Sequence, residues 1–310
     1  MPLPAFPELT EGLLRHIAEH HGLKGMPIAP MPQVGTFNAV FAVGEEIILR
    51  VPRAHSRFTD AALNEAVAVP LAIAAGVSTP ALLAFDASLQ MLPVPYSFYE
   101  RVVGVSLEQA SRDPAQSSDV WKQLGRELAK LHGGVTATPM SADLIVFEDK
   151  TDPRPLPDAI ATAGYFGSAE AAWLNQWLDR LAPVALASAP RYFLHGDSQA
   201  TNVMVSNKGA FLAVIDWGSC LWGDIAFDFA GVPLRAVPAL LSGYREIKET
   251  DETLEARILW RHLQIALHQL RGTPKPEQSW AERPLTILMD VLKFFTSTND
   301  PRWKQWGPQV

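Results

Sequence analysis

Leu194-His195-Gly196-Asp197-Ser198-Gln199-Ala200-Thr201-Asn202-Val203 is followed closely by Val214-Ile215-Asp216-Trp217-Gly218. Between the two strings lie the apolar runs Val203–Val205 and Phe211–Ile215, which flank the polar turn Asn207-Lys208-Gly209. Two short apolar runs around a polar turn read as a β-hairpin. That hairpin carries Asn202 at the start of its first strand and Asp216 at the end of its second. The two side chains therefore emerge at neighbouring ends, and Asp197 precedes Asn202 by five residues. Each of the three alone has an ordinary reading: a turn residue, a chance Asn, a helix cap. Their order, spacing and hairpin context make them a candidate site.

Phosphoryl transfer needs such a set, because its catalytic work is positioning plus neutralisation of charge. An Asp takes or orients the proton of the acceptor hydroxyl, while an Asn five residues on and a downstream Asp hold Mg2+. With the trailing Gly223-Asp224 and Asp228 added, the chain resembles the aminoglycoside phosphotransferase family of the protein-kinase-like superfamily, nearest its hygromycin and macrolide phosphotransferase branches. The likeness is specific between Tyr192 and Gly231. It implies an α+β, bilobal protein-kinase-like fold: a small β-rich N-lobe, residues 1–102, binding nucleotide, and a larger, mainly helical C-lobe, residues 103–310. It also implies a kinase that moves the γ-phosphoryl group of ATP or GTP onto a hydroxyl of a small molecule. Asp197 would be the catalytic residue, and Asn202 and Asp216 the Mg2+ ligands. His195 would be scaffold, and Asp224 and Asp228 would brace the loop and cap a helix. Gly196 stands where protein kinases carry an arginine that links the loop to a phosphorylated activation segment. Its presence points to a constitutively formed small-molecule kinase. A catalytically silent nucleotide binder would have lost the base or a metal ligand, and all three are present. A protein kinase would need a longer interval between Asp216 and Asp224.

The resemblance extends to the N-terminal third. Kinases set a lysine on their third strand against the nucleotide phosphates, but no lysine occurs between Lys24 and Lys122. The run Ile47-Ile48-Leu49-Arg50-Val51 offers Arg50, whose guanidinium can fork onto phosphate oxygens. Its expected partner is Glu65, the one acid well inside the helical run Thr59–Ala75. The phosphate-covering loop would be Gln33-Val34-Gly35-Thr36-Phe37-Asn38, with Gly35, Thr36 and Asn38 as candidates, because backbone N–H groups and hydroxyls can contact phosphate. The adenine would rest on the interlobe link, Tyr99 to Gly104, against backbone groups near Arg101 and Val102.

Composition agrees with a globular enzyme: 48% hydrophobic and 19% charged residues among 310. The formal net charge of −7 lacks the basic excess of a nucleic-acid binder. No apolar run reaches the roughly 18 residues of a membrane span, and the N-terminus does not read as a signal peptide. A single cysteine excludes an internal disulfide framework and fits the cytosol. The expected partners are a nucleoside triphosphate and a small-molecule acceptor, with no nucleic acid and no membrane.

Apolar spacing predicts helices over 6–23, Thr59–Ala75, Ser118–His132, Ala169–Leu186, Glu252–Leu270 and Leu285–Phe295. Strands are expected at Phe37–Val43, Ile47–Val51, Ala81–Asp86 and Tyr96–Val103, and after the link only at the hairpin. An acceptor would sit on the helical lobe, between Tyr165–Leu186 and helices near Trp260 and Trp280. Its walls would draw on the acids Glu170, Asp179, Glu249, Asp251, Glu252 and Glu255 and the aromatics Tyr165, Phe166, Trp173 and Trp177. Acids attract cations by Coulomb steering, which favours an aminoglycoside-like acceptor over a macrolide or another metabolite hydroxyl. His16-Ile17-Ala18-Glu19-His20 has the H-x-x-E-H string of inverted zinc sites, but with no third ligand in sequence it reads as a solvated helix face. Cys220 reads as a small packing residue.

Overall fold

The computed structural model of the chain describes residues 3–32, 37–110, 117–139, 145–146, 148, 151–271 and 285–309. Thr10 caps the first helix, α1 (Glu11–His20), by accepting the Leu13 amide, and its apolar stripe buries Leu14, Ile17 and Ala18. Five strands follow, interrupted by one helix: β1 (Ile28–Pro30), β2 (Asn38–Val43), β3 (Ile47–Pro52), α2 (Ser56–Ala74), β4 (Leu82–Asp86) and β5 (Tyr96–Glu100). They form an antiparallel sheet in the order β1-β2-β3-β5-β4. The alternation of β3 puts Leu49 and Val51 into a small core with Val43, Tyr96, Phe98, Leu14 and Ile17. Arg50, on the opposite face, registers with Val40 and Ser97.

The β-rich beginning and helical remainder agree with the expected α+β class, with differences in detail. β1 is an added edge strand, and its Pro30 suits an edge because it donates no hydrogen bond. α2 begins three residues before the expected Thr59, because His55 accepts the Arg57 amide as its cap. Pro70 lies inside α2 without ending it, at an exposed position. The four strands expected in this part are all present with shifted ends: β2, β3 and β4 each differ by one residue, and β5 stops at Glu100 rather than Val103.

Beyond the link come β6 (Val105–Ser106), α3 (Ser118–Gly134), α4 (Leu156–Thr162), α5 (Ser168–Ala185), β7 (Tyr192–Leu194), β8 (Val203–Val205), β9 (Phe211–Val214) and β10 (Leu221–Gly223). The chain continues through α6 (Ala226–Ala230), α7 (Val237–Arg245), α8 (Leu254–Gln269), α9 (Thr286–Ser297) and α10 (Pro301–Lys304). The hairpin β8–β9 forms as expected and is joined by β6. It is not the only strand structure here: β7 and β10 pair antiparallel, Leu194 opposite Leu221. These strands are three residues each, too short for a periodic signal. The prolines around Pro157 start α4, since a proline in the first turn gives up an amide that has no helical partner anyway.

The link is pinned at Gly104. A β-carbon there would run into the Val205 carbonyl, so only glycine lets the chain cross this close to β8. A large second core joins α3, α5, α7, α8 and α9, and α2 belongs to it through Ala68, Val69 and Ala72. α2 is therefore a sheet-side helix by sequence order and a partner of the helical part by packing.

The tightest helix contact is between α3 and α7. A β-carbon on Gly125 would overlap the Leu240 carbonyl, and one on Gly243 would overlap the Lys122 carbonyl. Two glycines thus let the backbones touch at both crossings. Gly243→Ala should destabilise by about 1–3 kcal/mol, the usual cost of overpacking, and lower the Tm by about 2–4 °C per kcal/mol. Gly133→Ala, with nothing within 4 Å of its added carbon, should leave the Tm unchanged or raise it. Thermal unfolding of both variants checks the pair.

Candidate active site

β7 delivers the chain to His195, and the loop after it is held from beneath. The buried Asp228 carboxylate accepts the His195 amide at 2.9 Å and the Gly196 amide at 2.7 Å. The Ser198 hydroxyl donates to the Asp228 carbonyl. His132 of α3 supports Asp228 in turn: its Nε2 lies 2.9 Å from Oδ2, and its Nδ1 lies 3.1 Å from the Tyr244 hydroxyl. Burial pushes the Asp228 carboxyl up, and the bonds and charge from His132 outweigh it, leaving its pKa below the usual carboxylate range. Asp228 therefore braces the loop, while Asp224 accepts the Ala226 amide at 3.1 Å at the start of α6 and pairs with Arg257 at 2.7 Å.

Gly196 has a second reason to be glycine besides the missing arginine. Its φ is +82°, and a β-carbon would strike the Ser219 carbonyl. His195 accepts the Asp197 amide on Nδ1 at 3.2 Å, so its Nε2 is the protonated nitrogen and donates to the Ile215 carbonyl at 3.1 Å. That ring ties the loop to the strand leading to Asp216, which is the scaffold part expected of it.

The Asp197 carboxylate is clamped on both oxygens. Gln199 Nε2 donates to Oδ1 and Asn202 Nδ2 to Oδ2, each at 2.9 Å, and Asn202 also donates to the Asp197 carbonyl at 2.8 Å. Burial pushes the Asp197 carboxyl upward, and the nearby Asp216 charge adds to it. With its nitrogen committed to Asp197, the Asn202 side chain has its Oδ1 left to offer.

Asp216 follows β9 with φ +68° and ψ +67°, a left-handed conformation that costs energy outside glycine. Its Oδ1 receives Arg50 Nη2 at 3.0 Å, and Arg50 Nη1 reaches Glu65 at 2.6 Å. One guanidinium thus joins β3, α2 and the end of β9. Glu65 also faces the Trp217 amide at 3.4 Å, and Trp217 Nε1 donates to Thr79 at 2.9 Å. Burial works against the Arg50 charge, but Glu65 and Asp216 hold its pKa above the ordinary value. Burial pushes the Glu65 carboxyl up, against the pull of Arg50. The Tyr99 ring lies under the guanidinium at 5.7 Å, and burial raises its hydroxyl pKa.

Asp197, Asn202, Asp216, Arg50 and Glu65 are thus brought together. Asn38 opens β2 opposite Pro52 and is half-buried. Gly35 and Thr36 lie outside the described residues. In the link, the Arg101 amide is committed to the Glu46 carbonyl at 2.7 Å, whereas among the described residues none hydrogen-bonds the Val102 amide. Gln199, Tyr99 and His132 escaped sequence reasoning. Gln199 had a signal, lying two residues from Asp197 inside the motif. The expected acceptor walls need correction. Trp177 is buried and donates to the Trp306 carbonyl, Trp173 donates to the Gln309 carbonyl, and Trp260 is core. These rings pack the helices and pin the C-terminus, and Trp280 lies outside the described residues. Glu255 is buried against Arg245 at 2.7 Å, and Asp251 pairs with Arg257 at 2.8 Å.

The donor set near Asp216 consists of carboxylate and amide oxygens, with two carboxylates close enough for one to raise the pKa of the other. Hard oxygen donors with unbalanced negative charge fit Mg2+.

Replacing Asp228 by Asn leaves one oxygen for the three N–H donors that its two carboxylate oxygens now accept, and turns an N–H2 group on the rest. Asp228→Asn should lower kcat at least ~10-fold and destabilise by on the order of 1–3 kcal/mol, the cost of an unsatisfied buried polar group. Nucleotide affinity should change less, because Asp228 touches the loop and not the Arg50 side of the site. Paired kinetics and calorimetric binding separate the two effects.

The model of the phosphotransferase enzyme family matches residues 32–260. No curated protein matches the chain by sequence. Among solved structures, the chain is similar to the GDP complex of a mutant aminoglycoside 2'-phosphotransferase-IIIa, at 17% identity and a TM-score of 0.63 over 90% of this chain and 96% of that one. It is similar to the macrolide 2'-phosphotransferase MphH from Brachybacterium faecium, at 18% identity and a TM-score of 0.60 over 96% of each chain. It is also similar to a choline/ethanolamine kinase family protein from Mesorhizobium loti, at 17% identity and a TM-score of 0.57 over 91% of each. At these identities the likeness speaks to the fold, which is protein-kinase-like. With the family model spanning well over half of its length, the chain belongs to the phosphotransferase enzyme family.

Proposed function

We propose that the protein transfers the γ-phosphoryl group of ATP or GTP to a hydroxyl of a small molecule. The observation that carries this reading is Arg50, which bridges Glu65 and Asp216 beside the clamped Asp197–Asn202 pair. In the reaction, Arg50 engages the nucleotide phosphates, held in place by Glu65. Asp197 accepts or orients the acceptor hydroxyl's proton, with its carboxylate aimed by Gln199 and Asn202. Asn202 and Asp216 hold Mg2+, which when bound neutralises the charge of the phosphates. Nucleotide is assigned to the N-lobe, residues 1–102, and to the link near Arg101 and Val102, with Gly35, Thr36 and Asn38 as candidate phosphate contacts. The acceptor lies on the C-lobe side, residues 103–310. The need for nucleoside triphosphate and the single cysteine both fit work in the cytosol.

The first acceptor class is aminoglycoside-like, a cationic compound bearing hydroxyls, supported by the similarity to an aminoglycoside 2'-phosphotransferase and the net charge of −7. One observation favours a second, neutral class such as a macrolide. Of the six acids expected to attract a cation, Asp179, Asp251 and Glu255 already face arginines, so half of that charge is neutralised within the protein.

Labelled γ-phosphate from ATP, followed onto panels of aminoglycosides, macrolides and small metabolite alcohols, tests the reading. Wild type should label one class of hydroxyl. Asp197→Asn, which keeps shape and removes charge, should lower kcat at least ~10²-fold, the scale of a positioned base, with nearly unchanged nucleotide affinity. Near-normal turnover in that variant removes Asp197 from the role. Nucleotide binding with no transfer to any panel supports a silent binder instead.

A further inference from the structure

The His16-Ile17-Ala18-Glu19-His20 string lacks a third ligand in sequence, and folding supplies a different set. α1 ends at His20, and His21 follows as its cap residue. The end of β4 brings Asp86 to the same place. One ligand atom from each of His20, His21 and Asp86 lies within 4.8 Å of the others. His16 and Glu19, the other members of the string, are not part of this group. We propose that His20, His21 and Asp86 form a site for a divalent transition metal ion of the Zn2+ type, completed by water. This proposal stands apart from the phosphoryl-transfer reading, because none of its residues belongs to that site.

The surroundings prepare the ligands. The Tyr96 hydroxyl donates to Asp86 Oδ2 at 2.9 Å, so at the 3.0 Å contact with His21 it is Nε2 that carries the proton. The other His21 nitrogen then keeps its lone pair. Ligating histidines commonly donate their second nitrogen outward in this way, and ligating carboxylates are themselves hydrogen-bonded. Asp86 Oδ1 accepts the Ser88 amide at 2.7 Å. Metal ligation needs neutral imidazole and ionised carboxylate. The His21 ring is fixed by edge contact with Tyr96 at 5.6 Å and packing on Phe98 at 5.1 Å. Two imidazoles and one carboxylate suit Zn2+, whereas Mg2+ favours oxygen donors throughout. A bound ion would tie the end of α1 to the edge strand β4.

The test uses the full chain stripped by a chelator and then saturated with Mg2+ and ADP, so that the acids near Asp216 are occupied. Zn2+ is titrated calorimetrically, and Co2+ serves as a spectroscopic probe of the ligand set. Wild type should take up one Zn2+ that excess Mg2+ does not displace, and Co2+ should show ligand-field bands in the visible. His20→Ala and Asp86→Asn should each weaken Zn2+ binding at least ~10-fold and remove those bands. The metal-free Tm of His20→Ala should match wild type, since His20 is exposed, and that of Asp86→Asn should fall slightly, because one amide oxygen replaces the two that now accept from Tyr96 and Ser88. No uptake by wild type, or wild-type affinity and bands in both variants, overturns the proposal.

Discussion

One guanidinium holds the two halves of the site together. Arg50 sits on the face of β3 that turns away from the small core, so strand alternation alone aims it at the cleft. There it meets Glu65 from α2 and Asp216 from the end of β9. All three groups are charged and at least half-shielded, and none would stay in place without the others, because a buried charge is tolerated only when paired. A lysine could serve one partner as a point charge. A forked guanidinium serves two at once, which accounts for an arginine on this strand. The packing of α2 into the large core places Glu65 before any substrate arrives, and Gly218 against Ala61 closes that contact. The donor side is therefore built by folding, in line with the absence of an arginine at Gly196.

The loop that carries Asp197 depends on a second buried charge. Asp228 gathers the amides of His195 and Gly196 together with His132, and the His195 ring passes the constraint to Ile215. The backbone turns left-handed at the two places these supports meet, freely at Gly196 with φ +82° and at a cost at Asp216 with φ +68°. Strained residues persist where their surroundings over-determine them, and at Asp216 the surroundings are the His195–Ile215 tie on one side and Arg50 on the other.

Much of this was legible in sequence, for a physical reason. Asn202 and Asp216 flank one hairpin and Asp197 lies in the loop leading into it, so a short stretch of chain brings all three together. Arg50 and Glu65 were reachable through resemblance, since nothing local marks an arginine on a strand. Gln199, Tyr99 and His132 act through contacts made only after folding, and each is an unremarkable residue in its own string. The acceptor walls misled because a tryptophan in an amphipathic helix looks alike whether it lines a cleft or, as with Trp177, anchors a distant carbonyl. α7 has no counterpart among the expected helices, and its Gly243 is there so that α3 can touch. His20 was set aside for lack of a ligand that a strand 66 residues away supplies.

The claim that Arg50 is useful only while Glu65 holds it is tested most directly by the affinity of Mg2+ with an ATP analogue for Glu65→Gln, measured by calorimetry beside wild type. The glutamine keeps the shape and removes the charge that anchors the guanidinium. The account predicts a loss of at least ~10-fold, or about 1.4 kcal/mol, with the fold intact by circular dichroism. Wild-type affinity in a folded Glu65→Gln protein would contradict it.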